Sequence, residues 1–137
     1  MDAATLASSP FTTLVAWSAL LLLVQISLQG MLATRELGSS WNAGPRDESL
    51  QPKGKLAGRA ARASKNLQET FPIFVGLALA LALLGENSGT ALTAAWIWLA
   101  ARILYVPLYL AGIPYVRSLV WTIALAALVA MATIVIV

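Results

Sequence analysis

The residues able to carry chemistry in this sequence are few, and they cluster. Arg62, Lys65, Asn66 and Glu69 stand at positions i, i+3, i+4 and i+7, a spacing that projects all four side chains from one helical face over two turns. Arg102, Tyr105 and Tyr109 stand at i, i+3 and i+7, again one face, and Arg117 and Ser118 follow with Trp121 one turn on. The absences narrow what such a set can do. With no cysteine and no histidine, the chain offers no protein thiol, no Cys/His metal site, no haem ligation through His and no Ser-His-Asp triad. Its six Asp and Glu are widely scattered, so a carboxylate-only metal site is not expected. What remains is electrostatic and hydrogen-bonding chemistry from guanidinium, ammonium, amide and phenol groups around one acid.

These groups sit in very apolar surroundings. Of 137 residues, 59% are hydrophobic and only 11% charged, too apolar for a soluble domain. A membrane span takes about 20 mostly apolar residues, and four stretches qualify: Pro10 to Ala33, Leu67 to Leu84, Thr90 to Ala111 and Leu119 to Val137. The expected architecture is an all-α integral membrane protein, a four-transmembrane-helix up-down bundle. It forms a single domain over 1–137, with helices over about 10–37, 56–84, 89–112 and 114–137 and a loop over about 38–55. The first stretch reads as a span rather than a cleaved signal peptide, because Asp2 precedes it and Arg35 follows it, the reverse of a signal peptide's flanks.

The net charge of +3 reads as topology rather than nucleic-acid binding. All nine Lys and Arg lie between the first two spans, through Lys65, or at Arg102 and Arg117 beside the turn between the last two. In an antiparallel bundle these regions share one side of the membrane. The positive-inside rule makes that side the cytoplasm, with both termini and the Gly85–Gly89 turn outside.

The breaker-rich run Gly38-Ser-Ser-Trp-Asn-Ala-Gly-Pro-Arg-Asp marks the cytoplasmic loop. From Leu56 the helical pattern resumes and runs through Glu69 into apolar residues without a breaker, so the second helix is expected to start in water and enter the bilayer carrying charge. Pro72 and Pro107 are each expected to kink a helix. Gly112-Ile-Pro114 makes a short connection whose proline suits the first turn of the last helix. Gly76 with Ala80, and Ala78 with Ala82, have the spacing that permits close helix approach, read as ordinary packing. Tyr115, Trp96, Trp98, Trp17 and Trp41 read as an aromatic belt at the membrane boundary.

Charges near the bilayer interior cost roughly 2.5–3.5 kcal/mol each on insertion scales and tend to face a partner or a wet cavity. Arg62 and Lys65 could simply snorkel to the headgroups, and the tyrosines could belong to the belt. Glu69 and Asn66 lie deeper, where lipid phosphate offers them nothing, and Tyr105 and Tyr109 share a stripe with Arg102. Three motifs stand in order: Arg62-Ala-Ser-Lys-Asn66-Leu-Gln-Glu69-Thr-Phe-Pro72-Ile-Phe, then Arg102-Ile-Leu-Tyr105-Val-Pro-Leu-Tyr109, then Arg117-Ser118. Over about Arg59 to Trp121 this arrangement resembles the MAPEG family, the membrane-associated proteins in eicosanoid and glutathione metabolism, and in particular its bacterial-type microsomal glutathione transferases.

The resemblance implies a homotrimer of four-helix subunits that binds glutathione in a cleft between neighbours, open to the cytosol. Arg62 and Lys65 would hold glutathione carboxylates, Asn66 its backbone amides and Glu69 its ammonium. Tyr105 and Tyr109 match the glutathione-contacting face, with Arg102 supporting it. Arg117 corresponds to the arginine that activates the thiolate, Ser118 beside it offers a hydrogen-bond donor, and Arg35 lies near the family's first-helix arginine. The implied activity is a detoxifying glutathione transferase or peroxidase. It would take glutathione as cosubstrate, without a metal, and a lipophilic electrophile or hydroperoxide from the lipid bilayer of a bacterial inner membrane.

Two departures set limits. Thr70 stands where leukotriene-forming members carry a tyrosine, and Tyr105 where the prostaglandin-forming type carries a histidine, so no eicosanoid synthase is expected. The rival readings are a non-catalytic binding or scaffold protein of the same fold and a small transporter. Against the transporter, the charges gather near one side, and the outer half of the spans carries none apart from Glu86 in its turn. Glu69→Gln is expected to weaken glutathione binding, because a buried ammonium loses its countercharge. Calorimetry on the reconstituted protein checks this, and unchanged affinity would put Glu69 outside the pocket.

Overall fold

The computed structural model describes residues 2–86 and 89–137. In chain order the helices are α1 (Ala3–Ala7), α2 (Pro10–Leu37), α3 (Ser39–Ala43), α4 (Lys55–Leu83), α5 (Thr90–Ala111) and α6 (Pro114–Ile136). Of these, α2, α4, α5 and α6 are long and apolar enough to cross a membrane, and the protein is an all-helical, multi-pass integral membrane protein. The short α1 and α3 lie outside the sequence expectation. Five residues are too few to display a helical period in the sequence, and α3 forms where Ser-Ser-Trp-Asn-Ala lies between the punctuating Gly38 and Gly44.

Local chemistry sets the ends of the spans. Ser9 caps α2 by accepting the Phe11 N–H at 3.3 Å, and Pro10 takes the first helical position, where a missing N–H costs nothing. α4 has no such side chain at its own start, since its cap is Gly54. The Glu36 carboxylate, at the end of α2, supplies the function by accepting the backbone N–H groups of Lys53 and Gly54. A carboxylate at a helix N-terminus also complements the helix dipole, so this pair brings the end of α2 to the start of α4 and closes the intervening loop. Within the loop Arg46 donates to the Asn42 carbonyl and Oδ1 at 3.0 and 2.9 Å and lies 4.4 Å over the Trp41 ring. Trp41 is therefore part of the loop's own packing, four residues beyond the end of α2.

In the bundle α2 lies along α4 and α5 along α6, while α4 contacts α5 and α6 and joins the two pairs. Small residues let the central helices approach: Ala78 and Ala82 on α4 and Ala91, Ala94 and Ala95 on α5 are all buried. Gly76 faces outward instead. Phe74 and Trp98 stack between α4 and α5 with centroids 3.9 Å apart and planes 7° from parallel. Trp98 is fully buried, which corrects its belt assignment, since its register puts it on the alanine stripe facing α4. Trp17, Trp96 and Tyr115 are exposed, as lipid-facing side chains are. Pro72 and Pro107 both sit inside continuous helices. The expected Gly85–Gly89 turn includes Asn87 and Ser88, which lie outside the described residues.

The α5–α6 connection is where the site begins. Gly112 ends α5 in the left-handed region, at φ 75° and ψ 28°, a conformation glycine adopts without steric penalty. Arg59 reaches across from α4 and donates from Nη1 to the Leu110 carbonyl at 3.1 Å, satisfying one of the carbonyls a helix end leaves unpaired. This contact sets the start of α4 against the α5–α6 turn, so the two basic regions of the chain share one end of the bundle. A Cβ on Gly112 would lie 2.7 Å from Arg59 Nη2.

Gly112→Ala is thus expected to be penalised twice, by the positive φ and by displacement of the guanidinium, for a total of roughly 1–3 kcal/mol. In an Arg59→Met background only the first penalty remains. Thermal unfolding of the four proteins in detergent checks this: the cost of Gly112→Ala should shrink in that background, and full additivity would contradict the account.

Candidate functional site

The site grows out of two helical stripes. The inward face of α5 runs from Ala91, Ala94 and Ala95 through Trp98 to Arg102 and Tyr105, all buried, and continues one turn on to the half-buried Tyr109. On α6 the inward residues Val120, Ala124, Leu128 and Met131 extend back by one turn to Arg117. The turn closed by Gly112 folds these two stripes together. Arg117 thereby comes to lie over Tyr109, its guanidinium carbon 4.5 Å from the ring centroid.

Beside that contact opens a groove of about 420 Å³. Tyr105 and Tyr109 line it from α5, Arg117, Ser118, Trp121 and Thr122 from α6, and Asn66 from α4. Ser118 donates its hydroxyl to the Pro114 carbonyl at 3.1 Å, and Thr122 donates to the Ser118 carbonyl at 2.9 Å. Ser118 thus stands at the groove beside Arg117 with its hydroxyl on the Pro114 carbonyl. Among the described residues no carboxylate pairs with Arg117.

Below the groove the aromatic contacts continue inward. Tyr109 meets Tyr105 edge to face, centroids 5.5 Å apart at 62°, and the Arg102 guanidinium carbon lies 4.5 Å over the Tyr105 ring. Arg102 is only 1% exposed, and its Nε and Nη2 have no hydrogen-bond partner. It shares a narrow crevice with Thr70, Trp98 and Trp121 rather than a place on the groove wall. A cation over a desolvated aromatic face gains about 2 kcal/mol, whereas withdrawing an ion from water costs several. The ring therefore reduces the cost of burying Arg102 without cancelling it, and stability alone does not favour this arginine.

The remaining expected residues are split by the register of α4 and α2. On α4 the buried positions Ala60, Ala63, Ser64 and Leu67 turn Arg62, Lys65 and Glu69 outward, where all three are exposed. Only Asn66, half-buried at the edge of that face, reaches the groove, and its Oδ1 is occluded without a partner. Arg62 folds back over Gly58. Arg35 is exposed in the last turn of α2 and lines a separate cavity of about 640 Å³ with Gly30, Met31, Thr34 and Asn42. Thr70 turns its hydroxyl back to the Leu67 carbonyl at 3.4 Å.

Sequence reasoning passes over Thr122 as a groove residue, although it lies four positions beyond Ser118, and it places Trp121 beside Arg117 without giving it a role. It also passes over Gln25, which is buried in α2 with neither amide atom partnered and does not line the groove.

Fold and site together define a polytopic membrane protein with a groove of arginine, tyrosine and asparagine at one end of a helical bundle. The MAPEG family model matches residues 14–137, nearly the whole chain, and the protein belongs to that family. It is thus a membrane protein of the family of eicosanoid and glutathione metabolism. Comparison with curated proteins and with solved structures gives no match.

Proposed function

We propose that the protein is a membrane-bound, glutathione-dependent enzyme that holds glutathione as its thiolate beside Arg117 and delivers the sulfur to a lipophilic substrate. The observation that carries this reading is the Arg117 guanidinium, held at the groove wall by the Tyr109 ring and by no carboxylate among the described residues. A free thiol has a pKa of about 8.5, and an adjacent cation lowers such a value by roughly one to three units, each unit being worth about 1.4 kcal/mol. Arginine suits the task because it stays charged when partly desolvated, and no histidine base is needed.

Asn66 supports binding of the peptide amides from its place in the groove. Lys65, Glu69 and Arg62 stand on the adjoining outward face of α4, where a peptide lying across Asn66 would offer its carboxylates and ammonium. Arg35 stands apart in one subunit, and the homotrimer expected of the family is the arrangement that would give it a place at the cleft. In the transferase reaction the thiolate forms a carbon–sulfur bond as the leaving group departs with its electron pair. With a hydroperoxide, the sulfur attacks the terminal oxygen and the O–O bond breaks. The alcohol leaves, and a second glutathione converts the sulfenic acid to disulfide and water. The basic end of the bundle faces the cytosol in this reading, which puts glutathione on the groove's open side and the apolar substrate on its lipid side.

Arg117→Ala is the decisive variant. Turnover of an electrophilic chromogen by protein reconstituted in lipid should fall by about tenfold to a hundredfold, while the calorimetric affinity for glutathione changes much less, because the lost interaction acts on the reacting sulfur. Equal losses in both would contradict the role given to Arg117. Wild-type binding without turnover would favour a non-catalytic scaffold, and no binding at all would overturn the reading.

A further inference from the structure

Arg102, Tyr105, Tyr109 and Arg117 form one unbroken series: guanidinium over ring at 4.5 Å, ring edge to ring face at 5.5 Å, and ring under guanidinium at 4.5 Å. Its inner end is fully buried and its outer end stands at the groove. We propose that Arg102 is a positioning residue: clamped on Tyr105, it fixes through the two tyrosine rings where the Arg117 guanidinium sits. The inference deepens the proposed function and rests on it for its catalytic consequence, although the mechanical coupling stands on the geometry alone.

Three observations support it. Arg102 is kept charged in the apolar interior with two of its nitrogens unpartnered, a cost that packing would avoid with a leucine or methionine. The edge-to-face angle of 62° between the rings ties the orientation of Tyr109 to that of Tyr105, and the Arg102 guanidinium lies 4.5 Å over the Tyr105 face. Finally, Tyr109 is the aromatic face that holds Arg117, so a rotation of the tyrosine pair moves the charge relative to the groove. Arginine's planar head lies flat on a ring and lysine's compact ammonium does so less well, which gives the conservative variant an intermediate effect.

The test uses the full-length protein in lipid nanodiscs and two readouts. The first needs no ligand: the nuclear magnetic resonance signal of the Arg117 guanidinium, shifted by the ring current of Tyr109. This shift should collapse in Arg102→Met and in Tyr105→Leu, survive in Tyr105→Phe, and be partly kept in Arg102→Lys. The second is the pH profile of kcat/KM with glutathione and an electrophilic chromogen. Its acid limb should move up by about half a pH unit in Arg102→Met, as a displaced cation stabilises the thiolate less, with Arg102→Lys in between and KM for glutathione little changed. An Arg117 signal unmoved by Arg102→Met in a folded protein overturns the coupling. A moved signal together with an unmoved acid limb overturns its catalytic consequence. A moved signal in a protein that binds no glutathione leaves the coupling standing and sinks the proposed function instead.

Discussion

A guanidinium among apolar helices has to be stabilised by something, and in most interiors a carboxylate does it. Among the described residues the partners of Arg102 and Arg117 are tyrosine faces. The difference matters for chemistry. A carboxylate neutralises the cation it holds and repels any second anion that approaches, whereas an aromatic face steadies the cation through its quadrupole and leaves the full positive charge available. An arginine held in this way is poised to stabilise an arriving anion, and the groove beside Arg117 is where such an anion would sit.

The rest of the fold serves that arrangement. The alanines of α5 bring it close enough to α4 for Phe74 and Trp98 to stack, which fixes the register that carries Arg102 and Tyr105 inward. Gly112, with Arg59 closing the end of α5 from α4, sets the turn that folds Arg117 onto Tyr109. Glu36 caps α4 from the end of α2 and so places the outward face of Arg62, Lys65 and Glu69 relative to the first span. These separate local devices converge on one end of the bundle, the end where the chain keeps its basic residues.

Much of this is legible in the residues themselves. The four spans follow from composition and length, because the bilayer requires runs of that size. Arg117, Tyr105, Tyr109 and Asn66 stand out as a site because polar groups at helical spacing in an apolar chain are costly to keep unless they face a partner or a wet cleft. The split of the α4 motif is not legible, since spacing tells which residues share a face but not whether that face turns toward the rest of the bundle. Trp98 misleads for a related reason: tryptophan suits a membrane boundary and a stacked core alike, and only packing decides between them. Arg59 gives no signal because its partner is a backbone carbonyl 51 positions away, and no sequence pattern announces such a contact.

The central claim is that a cation held by an aromatic ring keeps enough charge to ionise a bound thiol. Ultraviolet difference absorbance on the lipid-reconstituted protein, titrated with glutathione at pH 7, measures this without any second substrate. The account predicts a thiolate band that grows to about one equivalent per occupied site and persists well below the thiol's ordinary pKa of about 8.5. Saturable binding with no thiolate band at that pH would contradict it.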